Sequence, residues 1–429
     1  MIVNFSITNF GSIKDKQTLS FEAESSDHLE DSYVVNVSGI RLLKMALIYG
    51  ANASGKSTVL KALEFIRDLV LNPVEKKTDT LDYEPFLFDP DTPHMNSVIS
   101  LEFIHDEVKY FYEVEFNKMA IMNESLHFFH PNRALVFVRN TDLKQQFSQI
   151  SFGSKIKLAK NIEKTLSANT LWNNTVLGGF LKTNVDIKEL SDVIDWFNNI
   201  LKPPVFTRTQ LESYVSSKVH DGHLLKNEIV KILKQADFHI SDILINEEEM
   251  DIPDGFIDLM VNRFRVPIAE ARQIEEIGKV KTIKIELEHT VNNHKYSLPL
   301  EMESDGTKRF FGFAGLLALL INESHVIPID ELETSLHPDL YQHFLLSFLS
   351  NSNNSQLIAT THNREILDDK DIIRNDAIWF TNKDENCSTE IYSLSDFDSS
   401  VVRNTTNILN AYKAGKLKAA PKIRDLYIN

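Results

Sequence analysis

The apolar positions of this chain change their period from one stretch to the next, and each change marks an element. Two short alternating runs, at 3–7 and 18–21, flank the polar bend Asn9-Phe-Gly-Ser12 and predict two strands joined by a turn. A continuous apolar run over 45–49 then meets Gly50. Beyond it Leu60, Leu63, Ile66 and Val70 recur at helical spacing until Asn72-Pro73 stops them, so 45–71 reads as strand, loop, helix. From 98 to 129 the period becomes two. Ile99, Leu101 and Phe103 share one face and Tyr110, Tyr112, Val114 and Phe116 share the next, with 105–107 as the hairpin tip, which predicts an antiparallel sheet. The aromatic stripe has the chemistry of a base-stacking platform, but packing within a sheet explains it with less.

Residues 155–240 lose the alternation and turn helix-like, most clearly over 187–201 and 224–236, with no sustained heptad repeat that would make a coiled-coil arm. The carboxylates of 246–251 read as a solvated turn, because no spaced His or Asp completes a metal set. Runs at 282–289 and 296–300 predict a β pair that returns the chain to the core. An apolar helix over 309–320, a short strand over 326–329 and a β-like run over 356–361 follow. The longest apolar run, 310–321, is too short to span a bilayer. The succession is that of an α/β protein in three segments: an N-terminal lobe over 1–150, a mainly helical insertion over 151–280, and a C-terminal lobe over 281–429.

Composition adds limits. At 429 residues, 42% hydrophobic and 25% charged, the chain has the make-up of an ordinary globular protein with a large core. A formal charge of −16 argues against a coat of basic surface; it leaves DNA open as a partner of a local groove, without supporting it. The single cysteine, Cys387, excludes an internal disulfide and a multi-cysteine zinc site, and fits a reducing compartment. The first residues lack the basic flank of a signal peptide, so the expectation is a soluble cytoplasmic protein with no membrane partner.

The stretch Tyr49-Gly-Ala-Asn-Ala-Ser-Gly-Lys-Ser-Thr58 carries the chemistry. Gly50, four residues, then Gly55, Lys56 and Ser57 between a strand and a helix make a phosphate-binding loop. Glycines let several backbone N–H groups converge on phosphate oxygens, the helix offers its positive end, Lys56 adds a point charge, and Ser57 is placed to ligate Mg²⁺. Gly50, Asn52, Ser54, Gly55, Lys56, Ser57 and Thr58 are therefore the nucleotide-binding candidates. The strand at 326–329 ends in Asp330-Glu331, which suit the roles of metal holder and water activator beside such a loop. Ser304-Asp-Gly-Thr-Lys308 opens the apolar helix and is either a second phosphate contact or a plain serine cap. His362, after 356–361, can contact a γ-phosphate or serve the fold alone.

Taken in order, the phosphate loop, Ser304-x-Gly306-Thr307, Asp330-Glu331, Leu-Glu-Thr-Ser-Leu-His-Pro338 and Thr-Thr-His-Asn363 resemble the ABC-type ATPase heads of the SMC and RecF group. More closely, the chain is similar to stand-alone bacterial AAA-family ATPases of abortive-infection and other anti-phage operons, of the RloA, AbiL and PARIS AriA kind. The likeness covers most of the chain, including the Asn9-Phe10 start and the segments at 376–380, 394–397 and 412–416. It implies a P-loop NTPase of ABC head type, with a mixed central sheet, an N-terminal antiparallel β subdomain and a helical insertion, that uses ATP and Mg²⁺. It implies Walker A at Gly50, Gly55, Lys56, Ser57 and Thr58, with Lys56, Glu331 and His362 as catalytic residues and Ser57 with Asp330 at the metal. Ser304, Gly306 and Thr307 become the signature that meets ATP held by a second copy, which implies a homodimer or higher homo-oligomer; Ser335-Leu-His337 becomes the D-loop. The signature departs from the usual Leu-Ser-Gly-Gly-Gln at Glu303, Asp305 and Thr307. A Toprim nuclease of the kind some relatives carry is not expected in the 67 residues after His362, nor a cysteine-bearing nuclease module with one cysteine, and 368–371 reads as a surface turn. The expectation is a sensor subunit of a defence system that controls a separate effector from the same operon, a nuclease being one candidate. The alternative is a RecF-like repair ATPase that clamps duplex DNA.

Overall fold

In the computed structural model, residues 1–236, 238–253, 255–257, 260, 268–397 and 408–421 are described. They fall into two compact units. The first comprises 1–208, 320–334 and 345–429, the second 209–319 and 335–344. The contacts thus cut across the three consecutive segments expected from the sequence: the 151–280 segment is divided at residue 208, and the second unit includes the long strand 240–251 as well as helices.

The N-terminal runs are strands β1 (Ile2–Thr8) and β2 (Gln17–Ser20), antiparallel, as the sequence predicted. A small hairpin of β3 (Val34–Val37) and β4 (Ile40–Leu43) leads into β5 (Met45–Gly50), which is buried along its whole length. The period-two region forms β6 (Ser97–His105), β7 (Val108–Phe116), β8 (Ile121–Phe129), β9 (Arg133–Asp142) and β10 (Phe147–Phe152). Together with β1 and β2 they make one seven-stranded sheet in the order β10-β9-β8-β7-β6-β1-β2, with β6 and β7 turning at 106–107. Tyr110, Tyr112 and Phe116 are buried, so the aromatic stripe is packing and not a platform.

The helix Lys56–Leu71 places Phe65 against this sheet, 4.9 Å from Phe116 and 5.4 Å from Phe10 between ring centroids, while β5 leads into its N-terminus. A buried ion pair, Arg139 with Glu124, sits deeper in the antiparallel sheet; Tyr112 Oη and the Val176 N–H donate to Glu124 and thereby satisfy the carboxylate.

In the second unit the long strand β11 (Ile240–Asp251) pairs with β12 (Lys279–Val291), which pairs in turn with β13 (His294–Pro299). Here one expectation is corrected. The carboxylates at 246–251 lie on a strand, not a turn, because the facing strand answers their charge: Glu247, Glu248 and Glu249 meet Lys281, Lys284 and Lys279 at 2.9, 2.5 and 3.3 Å. The 282–289 and 296–300 runs pair with each other as the sequence predicted, within this three-stranded sheet. Within the same unit the helix Leu211–His220 lies close against Gly312 and Gly315, where added Cβ atoms would meet Leu211 at 2.5 Å and Val215 at 2.3 Å.

The rest of the first unit returns as β14 (Val326–Ile329), β15 (Gln356–Thr361), β16 (Ile378–Lys383) and β17 (Thr389–Ser393). With β5 they form the central sheet, ordered β14-β15-β5-β16-β17, parallel except for β17. Pro328, which lacks a ladder donor, is tolerated because β14 stands at the edge of this ladder. The buried amide of Gln356 stitches the two large sheets, donating to Ile2 O at 2.9 Å and Leu43 O at 3.1 Å.

Lys44, just before β5, is buried and donates to Leu349 O and Ser352 O at 2.7 and 2.8 Å, which caps the end of the helix Pro338–Asn351. Burial lowers its pKa from 10.5 to about 8. Between those two values the unfolded chain binds the proton that the folded chain has released, so the Lys44 contribution makes stability rise with pH across that window. The neutral amine still has two N–H donors for the two carbonyls. We expect the resistance of wild type to denaturant to increase relative to that of Lys44→Met from neutral pH to the top of the window; identical pH slopes for the two would reject this account.

Candidate nucleotide-binding site

Strand β5 ends at Gly50, and the chain turns through 51–55 before the helix begins at Lys56. Gly55 stands at the N-cap with φ 104°, a left-handed backbone that costs a residue with a Cβ about 1–2 kcal/mol. No side chain caps this helix; the Thr58 N–H donates to Gly55 O at 3.0 Å, and the N–H groups of Lys56 and Ser57 come before the first intrahelical bond. Gly50 is equally constrained, since an added Cβ would lie 2.3 Å from Thr381 Oγ1 and 2.7 Å from Thr381 O.

The loop borders a cavity of about 330 Å³ lined by Ser12, Asn52, Ala53, Ser54, Gly55, Lys56, Ser57, Thr58, Glu331 and His362. Lys56 is largely buried, and its ammonium donates to Gly50 O at 3.0 Å and Ala51 O at 3.1 Å, which leaves its third N–H. Burial pushes the Lys56 pKa down; the carboxylates of Glu331, Asp330 and Glu333 oppose that shift without cancelling it. An added phosphate charge at this ammonium would act in the same direction as the carboxylates, against the effect of burial.

Strand β14 delivers the acidic turn. Ser57 Oγ donates to the Asp330 carboxylate, lying 2.9 and 3.1 Å from its two oxygens, and Thr360 Oγ1 donates to the same carboxylate at 2.6 Å. Glu331 adopts φ 49°, and its N–H donates to Thr360 Oγ1 at 2.8 Å. Its carboxylate stands 3.7 Å from His362 Nε2, and both side chains are partly exposed. Lys56, Ser57, Asp330, Glu331 and His362, nominated separately by the sequence, are thus brought to one end of one sheet.

A hydroxyl and a carboxylate side by side are hard oxygen donors of the kind Mg²⁺ takes along with substrate phosphates. Among the described residues no cluster of three or more His, Cys, Asp or Glu could hold a metal by itself, so protein groups alone do not form a cage. The residues therefore fit a shared metal–nucleotide site better than a free-standing metal centre.

Ser304, Gly306 and Thr307 belong to the second unit. The helix Asp305–Asn322 opens there, and Ser304 Oγ accepts the Thr307 N–H at 3.1 Å, the cap that the sequence held as its simpler alternative. Gly306 lies near Ser335 of the proposed D-loop, with 3.4 Å between the Ser335 carbonyl oxygen and the position of an added Cβ, and His337 is exposed.

Sequence reasoning missed several residues of the site. Ser12 Oγ lies 2.9 Å from Thr58 Oγ1 and 2.8 Å from Thr389 Oγ1; Thr389 also donates to Ser54 O at 2.9 Å, and Thr381 Oγ1 lies 2.6 Å from Ser54 Oγ. The bend after β1 and the hairpin β16–β17 therefore hold the loop from outside. Only the hydroxyl of the Asn9-Phe-Gly-Ser12 bend offered a signal in the sequence; Thr360, Thr381 and Thr389 look like ordinary strand threonines.

A larger cleft, about 640 Å³, lies in the second unit between Lys226, Lys231, Lys234 and Lys295. It contains none of the phosphate-loop groups, so the smaller cavity is the candidate reaction centre.

The family described as "AAA domain, putative AbiEii toxin, Type IV TA system" matches residues 45–368. No curated protein matches the chain. Among solved structures, an SMC head bound to the C-winged helix domain of ScpA is similar at 12% identity and TM-score 0.43, over 91% of this chain and 97% of that one. The SMC head domain from Thermotoga maritima is similar at 13% identity and TM-score 0.39, over 91% and 98%. A third is an Smc head domain with an extended coiled coil, bound to the C-terminal domain of ScpA and derived from Pyrococcus furiosus, at 12% identity and TM-score 0.36, over 91% and 96%. No helix among the described residues is long and apolar enough to cross a membrane.

The loop geometry generates a direct test. Gly55→Ala forces a Cβ into a left-handed position 2.2 Å from Thr389 Oγ1. We expect a lower melting temperature and loss of ATP binding by calorimetry; an unaltered affinity would show that the loop does not need this backbone.

Proposed function

The chain belongs to the AAA-domain family matched over residues 45–368, and from that premise we propose that it is an ATP-binding and ATP-hydrolysing regulatory subunit of a bacterial anti-phage system. The observation that carries the reading is the convergence of Lys56, Ser57, Glu331 and His362 on one cavity, with Asp330 hydrogen-bonded to Ser57. In it, the loop amides and Lys56 hold the β- and γ-phosphates, and Ser57 with Asp330 holds Mg²⁺, which neutralises charge on the phosphate oxygens. Glu331 accepts the proton of a water attacking the γ-phosphorus as the bond to the bridging oxygen breaks and ADP departs. His362, 3.7 Å from that carboxylate, orients it and contacts the γ-phosphate.

Two copies complete the site in this reading, each offering its Ser304, Gly306 and Thr307 helix start to the nucleotide of the other. The family description's reference to a type IV toxin–antitoxin system supports a partner protein as the effector, with nucleotide state controlling its assembly or release.

Lys56→Ala is expected to lose ATP binding, whereas Glu331→Gln keeps it and slows turnover by roughly 100-fold or more. Light scattering with ATP is expected to show Glu331→Gln as a dimer. Normal hydrolysis by the Lys56 variant, or a monomer under every nucleotide condition, would sink the proposal; so would an adjacent gene product that never co-purifies.

One observation favours a second reading, a clamp on duplex DNA: the four lysines around the cleft of the second unit, in a chain of net charge −16. DNA-stimulated hydrolysis that falls steeply with salt would favour the clamp, and salt-insensitive turnover without DNA binding the regulatory subunit.

A further inference from the structure

The turn that follows β14 is stapled to the end of β15 at three points. The Glu331 N–H donates to Thr360 Oγ1 at 2.8 Å, the Leu332 N–H donates to Thr360 O at 3.1 Å, and the His362 N–H donates to the Glu333 carboxylate. The first two hold backbone to the buried strand end. In the third the donor is the backbone N–H of the histidine that faces Glu331, and the acceptor is a carboxylate of the turn itself. The other oxygen of Glu333 is buried and has no hydrogen-bond partner among the described residues. A carboxylate oxygen kept in that state is costly to a fold, so the residue calls for an explanation beyond packing.

We propose that Glu333 is a positioning residue for the cleavage step. By accepting the His362 N–H it fixes the backbone from which the imidazole reaches Glu331, so that the pair presents one geometry to the attacking water and the γ-phosphate. The inference rests on the reading of the cavity as an ATPase site. Its chemistry is that of an acceptor at a fixed reach, and its charge is secondary. Glutamine supplies the same acceptor without the charge; aspartate supplies the charge but is one methylene too short. Thr334 Oγ1, which donates to Glu331 Oε2 at 3.3 Å, orients the other partner of the pair from the same turn.

The experiment compares Glu333→Gln, Glu333→Asp and Glu333→Ala in the full chain, measuring kcat and KM for ATP and amide hydrogen exchange at His362. The expected result is near wild-type kcat for Glu333→Gln and a fall of roughly 10- to 100-fold for the aspartate and alanine variants, with KM changed much less. Exchange at the His362 amide should speed up in the same two variants while the β5 amides stay protected. Equal slowing in the glutamine and alanine variants would assign the effect to charge and overturn the proposal, as would wild-type kcat in all three. Absence of hydrolysis by the wild type would remove the ATPase reading instead, and the exchange at His362 would still decide whether Glu333 holds that backbone.

Discussion

Thr360 is completely buried, and its hydroxyl serves two neighbours: it donates to Asp330 at 2.6 Å and accepts from the Glu331 N–H at 2.8 Å. Asp330 is also buried and takes its other hydrogen bonds from Ser57. A buried carboxylate without such donors would be strongly disfavoured, and hydrogen bonds to an ionised acceptor are among the stronger ones a protein makes. The arrangement is available only because β15 lies between β14 and β5, so that its last residues stand as the single intervening strand between the acidic turn and the phosphate loop. Everything proposed for the site depends on that strand order.

Around this chain of bonds a second set of hydroxyls holds the loop from the opposite side. Ser12, Thr58, Thr389, Ser54 and Thr381 connect the bend after β1, the first helical turn and the β16–β17 hairpin. These bonds are short in reach and made between residues remote in sequence. They fix the loop before any ligand arrives, which lowers the ordering cost that binding would otherwise carry. Gly50 and Gly55 are required by the same packing, since threonine hydroxyls occupy the space a Cβ would need.

The second unit follows another logic. Its long β11–β12 pair matches carboxylates on one strand with ammonium groups on the other along the exposed end, where apolar burial is not available. Exposed pairs of this kind contribute little each, so they favour pairing and register more than they add stability. Its helix beginning at Asp305 is capped by Ser304, whose hydroxyl accepts the Thr307 N–H and whose carbonyl accepts the Lys308 N–H.

By itself the sequence determined the phosphate loop, the strand ending in Asp330-Glu331, the antiparallel sheet and the buried helices, because each is encoded by neighbours a few residues apart: glycine backbone freedom, a period of two, a period near four. It misplaced the 246–251 carboxylates, since the lysines that make them a strand lie some thirty residues on and become neighbours only through register. It also passed over Thr360, Glu333, Thr381 and Thr389. Nothing local distinguishes those residues from ordinary turn and strand positions; which hydroxyl or carboxylate faces which backbone amide is settled by strand order and by the distance between chain segments, and only the tertiary structure sets those.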